Sequence, residues 1–299
     1  MNRYYILRLP VGDIFMKKTN YLTNKELLIQ IQKSKNTYCQ FEAPEYANYD
    51  FIIEDINCLF DEDLCNHYYG DHTTGERKEI AQLIQDIKEQ KAKKVRKLDD
   101  NSTISANDIL TSDLVFRVMT YEHIPLDPEW DQEKPLKKRS DGYMKVNFPP
   151  FMHYIIQDGI PVVVGRSHYN EGKFDPDCGY TTNQLGRLYM LLVERISKKG
   201  NWRNYSYLED MKGDALRQLS QVGLQFDESR GKIPNPFAFY TTVVNNAFKR
   251  ILNSEKKIRD IRDDLIEING EMPSFTRQLE SDISSGYLDY STPKTNTYD

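Results

Sequence analysis

Two neighbouring amphipathic segments between Leu208 and Asn253 constrain the fold of this chain more than any other feature of its sequence. In the first segment, apolar residues recur at steps of three and four, which places them on one stripe of an α-helix. They are Leu208, Met211, Ala215, Leu219, Val222 and Phe226. The loop Asp227 to Gly231 and the prolines Pro234 and Pro236 separate this segment from the second. The spacing predicts two helices whose apolar stripes face each other.

The second segment has two unlike faces. Its core spacing is kept by Tyr240, Val244, Ala247, Phe248 and Ile251. Helix geometry then turns the remaining positions outward; they are Phe239, Thr242, Val243, Asn246, Lys249, Arg250 and Asn253. An aromatic ring, an amide and adjacent cations are the groups that hold an opened DNA strand. The same face is also typical of an ordinary solvated helix with one partly exposed Phe.

The run resembles the second region of bacterial sigma factors, and more closely the late-transcription sigma factors of T-even-like tailed bacteriophages. The parts that carry the resemblance follow one another in the family's order: Met211-Lys212-Gly213-Asp214, Phe226-Asp227, Asn235-Pro236-Phe237-Ala238-Phe239, Ala247-Phe248-Lys249-Arg250-Ile251 and Glu255. Near the start, the capping box Thr23-Asn24-Lys25-Glu26 opens a predicted helix that resembles the beginning of the same factors. Its predicted inward residues are Leu27, Leu28, Ile29 and Ile31.

The resemblance implies two binding surfaces. The surface that docks on the clamp coiled coil of the largest subunit of host core RNA polymerase comprises Asp210, Gly213, Asp214, Arg217 and Gln221. The surface for promoter DNA comprises Phe239, Thr242, Val243, Asn246, Lys249, Arg250, Asn253, Lys256 and Lys257, with Phe239 stacking on the flipped adenine of the minus-ten element. Thr242-Val243 stand where primary sigma factors carry a Trp-Trp wedge. This difference favours a factor that melts promoter DNA weakly and needs an activator.

The fold class expected from these features is mainly α, a sigma region-2-like helical domain with a mixed α/β insertion. The predicted divisions are an N-terminal helical segment 1–50, the insertion 51–180, the sigma-like domain 181–262 and a flexible tail 263–299. Inside the insertion, the sequence predicts a helix from Glu76 to Lys97 and two strands within Tyr143 to Gly165, joined at Asp158-Gly159. The polar run Asp127 to Asp141 is interpreted as a linker. A short strand is predicted at Tyr4 to Leu9.

Charge and cysteine content limit the classes of protein that fit. The net charge of −5 argues against a general nucleic-acid coat, although Lys249 to Arg262 holds six basic and two acidic residues. Four scattered cysteines do not form a disulfide framework, which favours a reducing compartment. No apolar run has the length of a membrane span, and no signal peptide is recognisable. With the resemblance, these features predict a protein of the host bacterial cytoplasm without membrane contact.

Alternatives remain open. Cys58, Cys65, His67 and His72 have an order that suits zinc but lack a Cys-x2-Cys knuckle. A phage DNA-processing nuclease would need magnesium on acids such as Asp61, Glu62, Asp63 and Asp71. A third reading is an adaptor that binds polymerase without touching DNA. The leading interpretation is a non-enzymatic factor without a cofactor, for which a sliding clamp that grips Tyr287, Leu288, Asp289 and Tyr290, or another coactivator, is a further candidate partner.

Overall fold

The computed structural model describes residues 22–70, 77–98, 104–130, 135, 137–230 and 234–284. They form two compact units. The first comprises the described residues up to Leu192 together with Ser220–Tyr240, and the second comprises Val193–Leu219 and the described residues from Thr241 onward. The predicted strand at Tyr4 to Leu9 and the predicted clamp motif at Tyr287 to Tyr290 lie outside the described residues.

A five-stranded mixed sheet is the centre of the first unit. Its strands are β1 (Cys39–Phe41), β2 (Phe51–Ile53), β3 (Phe116–Met119), β4 (Phe151–Gln157) and β5 (Ile160–Ser167). The order across the sheet is β1-β5-β4-β3-β2. The β2–β3 pair is parallel, and the other pairs are antiparallel. Strands β6 (Tyr169–Asn170) and β7 (Lys173–Phe174) form a separate small hairpin.

The hairpin predicted around Asp158-Gly159 is confirmed. Strands β4 and β5 pair with Tyr154 opposite Val163 and Gln157 opposite Ile160. The two linking residues have positive φ angles, 51° for Asp158 and 77° for Gly159. A two-residue turn with both central residues left-handed matches the twist of the flanking strands, and Asp-Gly is a preferred pair there.

Seven α-helices occur in the described part of the chain. They are α1 (Asn24–Asn36), α2 (Glu62–Tyr69), α3 (Ile80–Leu98), α4 (Asn183–Ser197), α5 (Leu208–Val222), α6 (Pro236–Ile268) and α7 (Phe275–Ser284). The predicted cap of α1 is present, because the Thr23 hydroxyl accepts a hydrogen bond from the Glu26 amide at 3.2 Å. Leu27 and Ile31 are buried, but Ile29 is 41% exposed, so its predicted burial is wrong. Across the described ranges, no helix is both long enough and apolar enough for a membrane span.

The prediction of a mainly α fold is wrong, because the chain is mixed α/β. Strands β1 and β2 have three residues each and β3 has four, too few to display a period of two. Strand β3 is also buried on both faces, since Phe116, Arg117 and Val118 are all buried. Strand β1 precedes the predicted limit at residue 51 and pairs with β5, so the sheet extends beyond the segment interpreted as an insertion.

One apolar core of the first unit lies between this sheet and helix α3. Leu83 and Ile87 of α3 are buried, at the spacing that the sequence predicts. They belong to one cluster with residues of three strands, among them Ile53, Phe116, Val118, Met152 and Tyr154. Burial of such side chains contributes about 1.5–3 kcal/mol each, so this cluster stabilises the sheet independently of the helices that carry the predicted binding surfaces.

Candidate nucleic-acid interface

Helix α6 buries most of the stripe that the sequence predicts for it, and Ile251 of that stripe is half-buried. Within the second unit, Val244, Ala247 and Phe248 are at most 3% exposed. The Trp202 ring meets the Phe248 ring edge to face, with centroids 5.4 Å apart and an interplanar angle of 90°. Trp202 itself is 6% exposed. Trp202 is therefore a core residue of this unit.

The opposite face of α6 is accessible over most of its predicted DNA-binding positions. In the second unit, Val243 is half-buried and the exposed positions are Thr242, Asn246, Lys249, Arg250, Asn253, Lys256 and Lys257. Phe239 belongs to the first unit and is half-buried, with its ring 5.7 Å from that of Phe226 and 5.4 Å from that of Tyr240. The ring is thus held on one side by aromatic neighbours. Contact of these residues with DNA stays a prediction.

The predicted polymerase-binding residues of α5 are also largely at the surface. Asp210, Gly213 and Arg217 are exposed, and Asp214 is half-buried. Gln221, also exposed, belongs to the first unit. A Cβ atom added at Gly213 would meet no atom within 4 Å. Internal packing therefore does not require a glycine at this position.

One ion-pair cluster joins residues that the sequence assigned to two different surfaces. Asp214 accepts a hydrogen bond from Arg217 at 2.8 Å. Its other oxygen accepts from Arg250 Nε at 3.1 Å, and Arg250 Nη2 donates to the same oxygen. Burial alone would raise the pKa of Asp214, but the hydrogen bonds from Arg250 and Arg217 outweigh it and hold the pKa below its ordinary value. Asp214 thus fixes the position of Arg250. A separation of 36 residues hides this pair from sequence reasoning.

A second charged cluster, which sequence reasoning missed, is buried in the first unit. Lys35 Nζ donates to Glu228 Oε2 at 2.9 Å and to the Phe226 carbonyl at 2.6 Å. Arg117 Nη1 lies 3.8 Å from the same carboxylate oxygen. The Arg117 guanidinium lies 3.9 Å from the ring of Tyr49. Burial lowers the pKa of Lys35 even though Glu228 opposes that effect. The cluster connects α1, β3 and the loop that precedes α6.

His153 completes this cluster on the sheet. Arg117 Nε donates to His153 Nε2 at 2.9 Å, and His153 Nδ1 is 2.6 Å from the Tyr46 carbonyl, to which it donates. This pattern requires the neutral ring with its proton on Nδ1. Burial, with the nearby Arg117 charge, lowers the pKa of His153 to about 3. A neutral imidazole here orients the arginine and adds no further charge to the interior.

The zinc and nuclease alternatives obtain no support from the described residues. Cys58 and Cys65 are buried, whereas His67 is exposed, and His72 lies outside the described ranges. Burial raises the pKa of Cys58 to about 11, which disfavours the thiolate that zinc requires. Among the described residues no group of three or more potential ligands converges. Asp61 caps α2, accepting hydrogen bonds from the amides of Asp63 and Leu64.

The chain matches no protein-family model, and comparisons with curated proteins and with solved structures also find no match. The interpretation of the site therefore depends on the residues themselves and on the geometry described above.

Proposed function

We propose that this protein is a phage-encoded, sigma-like transcription initiation factor. In this proposal it binds host core RNA polymerase through α5 and holds the non-template strand of an AT-rich, minus-ten-like element of late promoters with α6. The observation that carries the proposal is that α6 exposes an amide and several cations in the family's order while it buries the complementary apolar stripe. A factor of this kind works in the host bacterial cytoplasm. It catalyses no reaction itself and directs core RNA polymerase to particular promoters.

The polymerase contact is assigned to the exposed end of the α5 surface. Asp210 is exposed, and the open space above Gly213 leaves room for a partner to approach the backbone. An acid at an interface rim steers a basic partner and sets its orientation. Asp214 has a different role, because its carboxylate is already held by Arg217 and Arg250. It positions the cation that α6 presents.

The DNA contact is assigned to the accessible face of α6. Among the described residues, Lys249, Lys256 and Lys257 have no carboxylate within ion-pair distance, so their charges are available to phosphates. Asn246 offers an amide for base edges. Phe239 offers a ring that is half-buried against Phe226, and a ring held in this way loses little freedom when a base stacks on it.

Run-off transcription from late phage templates tests this function directly. Core RNA polymerase with the protein should give promoter-specific transcripts, and core polymerase without it should not. A protein that co-purifies with polymerase but supports no promoter-specific initiation would instead be the adaptor considered above. Magnesium-dependent cleavage of the template would contradict the proposal in favour of a nuclease. Addition of the phage sliding clamp to the same reaction determines whether that activator is required.

A further inference from the structure

A groove with a volume of about 480 Å³ opens on the first unit, outside both surfaces discussed above. Its walls come from the segment after β3 and from the loop that precedes α6. The side chains that matter for its chemistry are Tyr121, Tyr143, Lys138, Lys145 and Arg230. All five belong to the same compact unit. The groove is therefore a feature of one body of the protein.

The groove is positively charged. Lys138 and Lys145 are exposed, and no carboxylate belongs to the described lining. Arg230 pairs with Asp227 at 3.2 Å, but its side chain is 85% exposed, and such exposed pairs hold a cation only weakly. Asp141, an acid on the same segment, accepts hydrogen bonds from the backbone amides of Lys137 and Lys138 at 2.8 Å each, and Asp227 acts on Tyr121. Lys138, Lys145 and Arg230 outnumber these two acids. The local field therefore attracts anions.

Two aromatic rings form the neighbouring wall. The rings of Tyr121 and Tyr143 are 5.2 Å apart between centroids and are tilted by 36°. Both residues are half-buried, so each ring is fixed while part of its surface stays accessible. The backbone under Tyr143 is held by a bridge to Leu126 and by a 2.9 Å hydrogen bond from the Met144 amide to the Pro125 carbonyl. Fixed rings beside flexible cations are the arrangement on which single-stranded nucleic acids bind.

We propose that this groove binds single-stranded nucleic acid, with phosphates on Lys138, Lys145 and Arg230 and bases stacked on Tyr121 and Tyr143. The paired rings favour this ligand over an acidic peptide, which would need only the cations. That the bound strand is opened promoter DNA rests on the proposed function.

Direct binding by the full-length protein alone tests the groove. The probe is a fluorescein-labelled single strand of about 16 nucleotides, the upper end of the usual site sizes, titrated by anisotropy at several salt concentrations. The variant Lys138→Gln/Lys145→Gln/Arg230→Gln should bind at least ten-fold more weakly. Its log–log salt slope should be smaller by about 2, since each phosphate contact on a single strand contributes about 0.7.

A matched control separates the groove from net charge. The triple variant Arg77→Gln/Lys93→Gln/Lys173→Gln removes the same charges from exposed positions of the same unit and should bind within two-fold of the parent. Tyr143→Phe should retain binding, and Tyr143→Ala should lose about five-fold or more; a thermal melt of each variant verifies folding. The proposal is overturned if the parent does not bind, if the two triple variants bind equally, or if polyglutamate binds and the oligonucleotide does not.

Run-off transcription distinguishes failure of the groove from failure of the proposed function. If the parent supports initiation while the oligonucleotide does not bind at Lys138, Lys145 and Arg230, the groove is wrong and the transcription factor stands. If the groove binds the oligonucleotide as proposed but the parent supports no initiation, the groove stands and the proposed transcription function is wrong. In that case the protein is a single-strand binder of another kind.

Discussion

Arg250 of α6 donates two hydrogen bonds to one oxygen of Asp214 on α5, across a separation of 36 residues. The second oxygen accepts from Arg217, so the acid has two cationic neighbours. The Asp214 side chain is 11% exposed, whereas that of Arg250 is 48% exposed. The Asp214 carboxylate is thus largely shielded from solvent, whereas the Arg250 guanidinium is accessible. This pair links one residue predicted to bind polymerase with one predicted to bind DNA.

Replacing Asp214 by Asn should destabilise the protein by about 1 kcal/mol, because two charge-assisted hydrogen bonds weaken but the arginines are half solvated. Urea unfolding of the variant measures the loss. The control is Glu209→Gln, which removes an acid that is 83% exposed and pairs with Lys212 on the same helix. Equal stability of Asp214→Asn and the parent would show that the pair does not hold Arg250.

The contribution of Asp214 should also depend on pH. Its pKa in the folded protein lies below the ordinary value of 3.8, so folding favours the ionised carboxylate. The stability it provides is fully present above that pH and is lost as the pH falls through the folded-state pKa. The difference in unfolding free energy between parent and Asp214→Asn should therefore shrink below pH 3.8. A constant difference across that range would contradict the ion pair.

Replacing Phe239 by Ala should leave polymerase binding intact while open-complex formation falls, since one stacking contact contributes about 1–3 kcal/mol. Permanganate reactivity of promoter thymines measures opening, and co-sedimentation with core polymerase measures binding. Because Phe239 also contacts Phe226, a thermal melt accompanies both assays. Phe275→Ala serves as the control, because Phe275 is 77% exposed on α7 and has no predicted DNA role. Parallel loss of opening and polymerase binding would contradict the assigned role.

Reversing the charge of Asp210 to Lys should weaken polymerase binding by about 1 kcal/mol, or roughly five-fold. The effect should appear mainly in the association rate and should diminish at high salt, because the residue is exposed. Surface plasmon resonance against core polymerase measures it. Glu280→Lys makes the same charge change at an exposed position of α7 and should leave the rate unchanged. Indistinguishable rates for the two variants would remove Asp210 from the interface.

Replacing Glu228 by Gln should cost about 3–5 kcal/mol, because it leaves two buried cations without a compensating charge. Lys35 is inaccessible and Glu228 is 5% exposed, so solvent cannot take the place of the carboxylate. Chemical denaturation followed by tryptophan fluorescence measures the change. Glu45→Gln, at an exposed position of the same unit, should change stability by less than about 0.5 kcal/mol. A small effect at Glu228 would mean that Lys35 is neutral in the folded protein.

The half-buried His123 should make the stability of the protein sensitive to mild acid. Burial lowers the pKa of His123 from 6.5 to about 4, although its hydrogen bond to Ser167 opposes the shift. Between pH 6.5 and 4, His123 is therefore protonated in the unfolded chain but neutral in the folded protein. The free energy of unfolding falls as the pH decreases through this range. His123→Asn should reduce the slope of the unfolding free energy in that window without abolishing it, because His153 and His168, whose pKa values burial lowers to about 3, contribute there as well. An unchanged profile would exclude His123 as its source.

Local signals predict α1, α3, α5, α6 and the hairpin, and they miss α2 and what depends on distant residues. The stripes of α5 and α6 and the Asp158-Gly159 turn are each legible within a few residues. Strands of three residues and a parallel pair between β2 and β3 are not, which is why the mixed sheet was misjudged. The Asp127 to Asp141 segment was interpreted as a linker because it is polar. Only the fold brings its Lys138 to Tyr121 and Arg230.

The Lys35–Glu228 contact bridges 193 positions of the chain, and it bears on how this protein can be recombined. A chimera with its breakpoint at residue 180 would transplant the carboxylate and leave both cationic neighbours behind. In such a chimera, Lys35 and Arg117 would be separated from the Glu228 carboxylate, and each buried charge would lack its partner. A viable hybrid should therefore exchange α1, β3 and residues 226–230 together, because only then does each buried charge keep its partner.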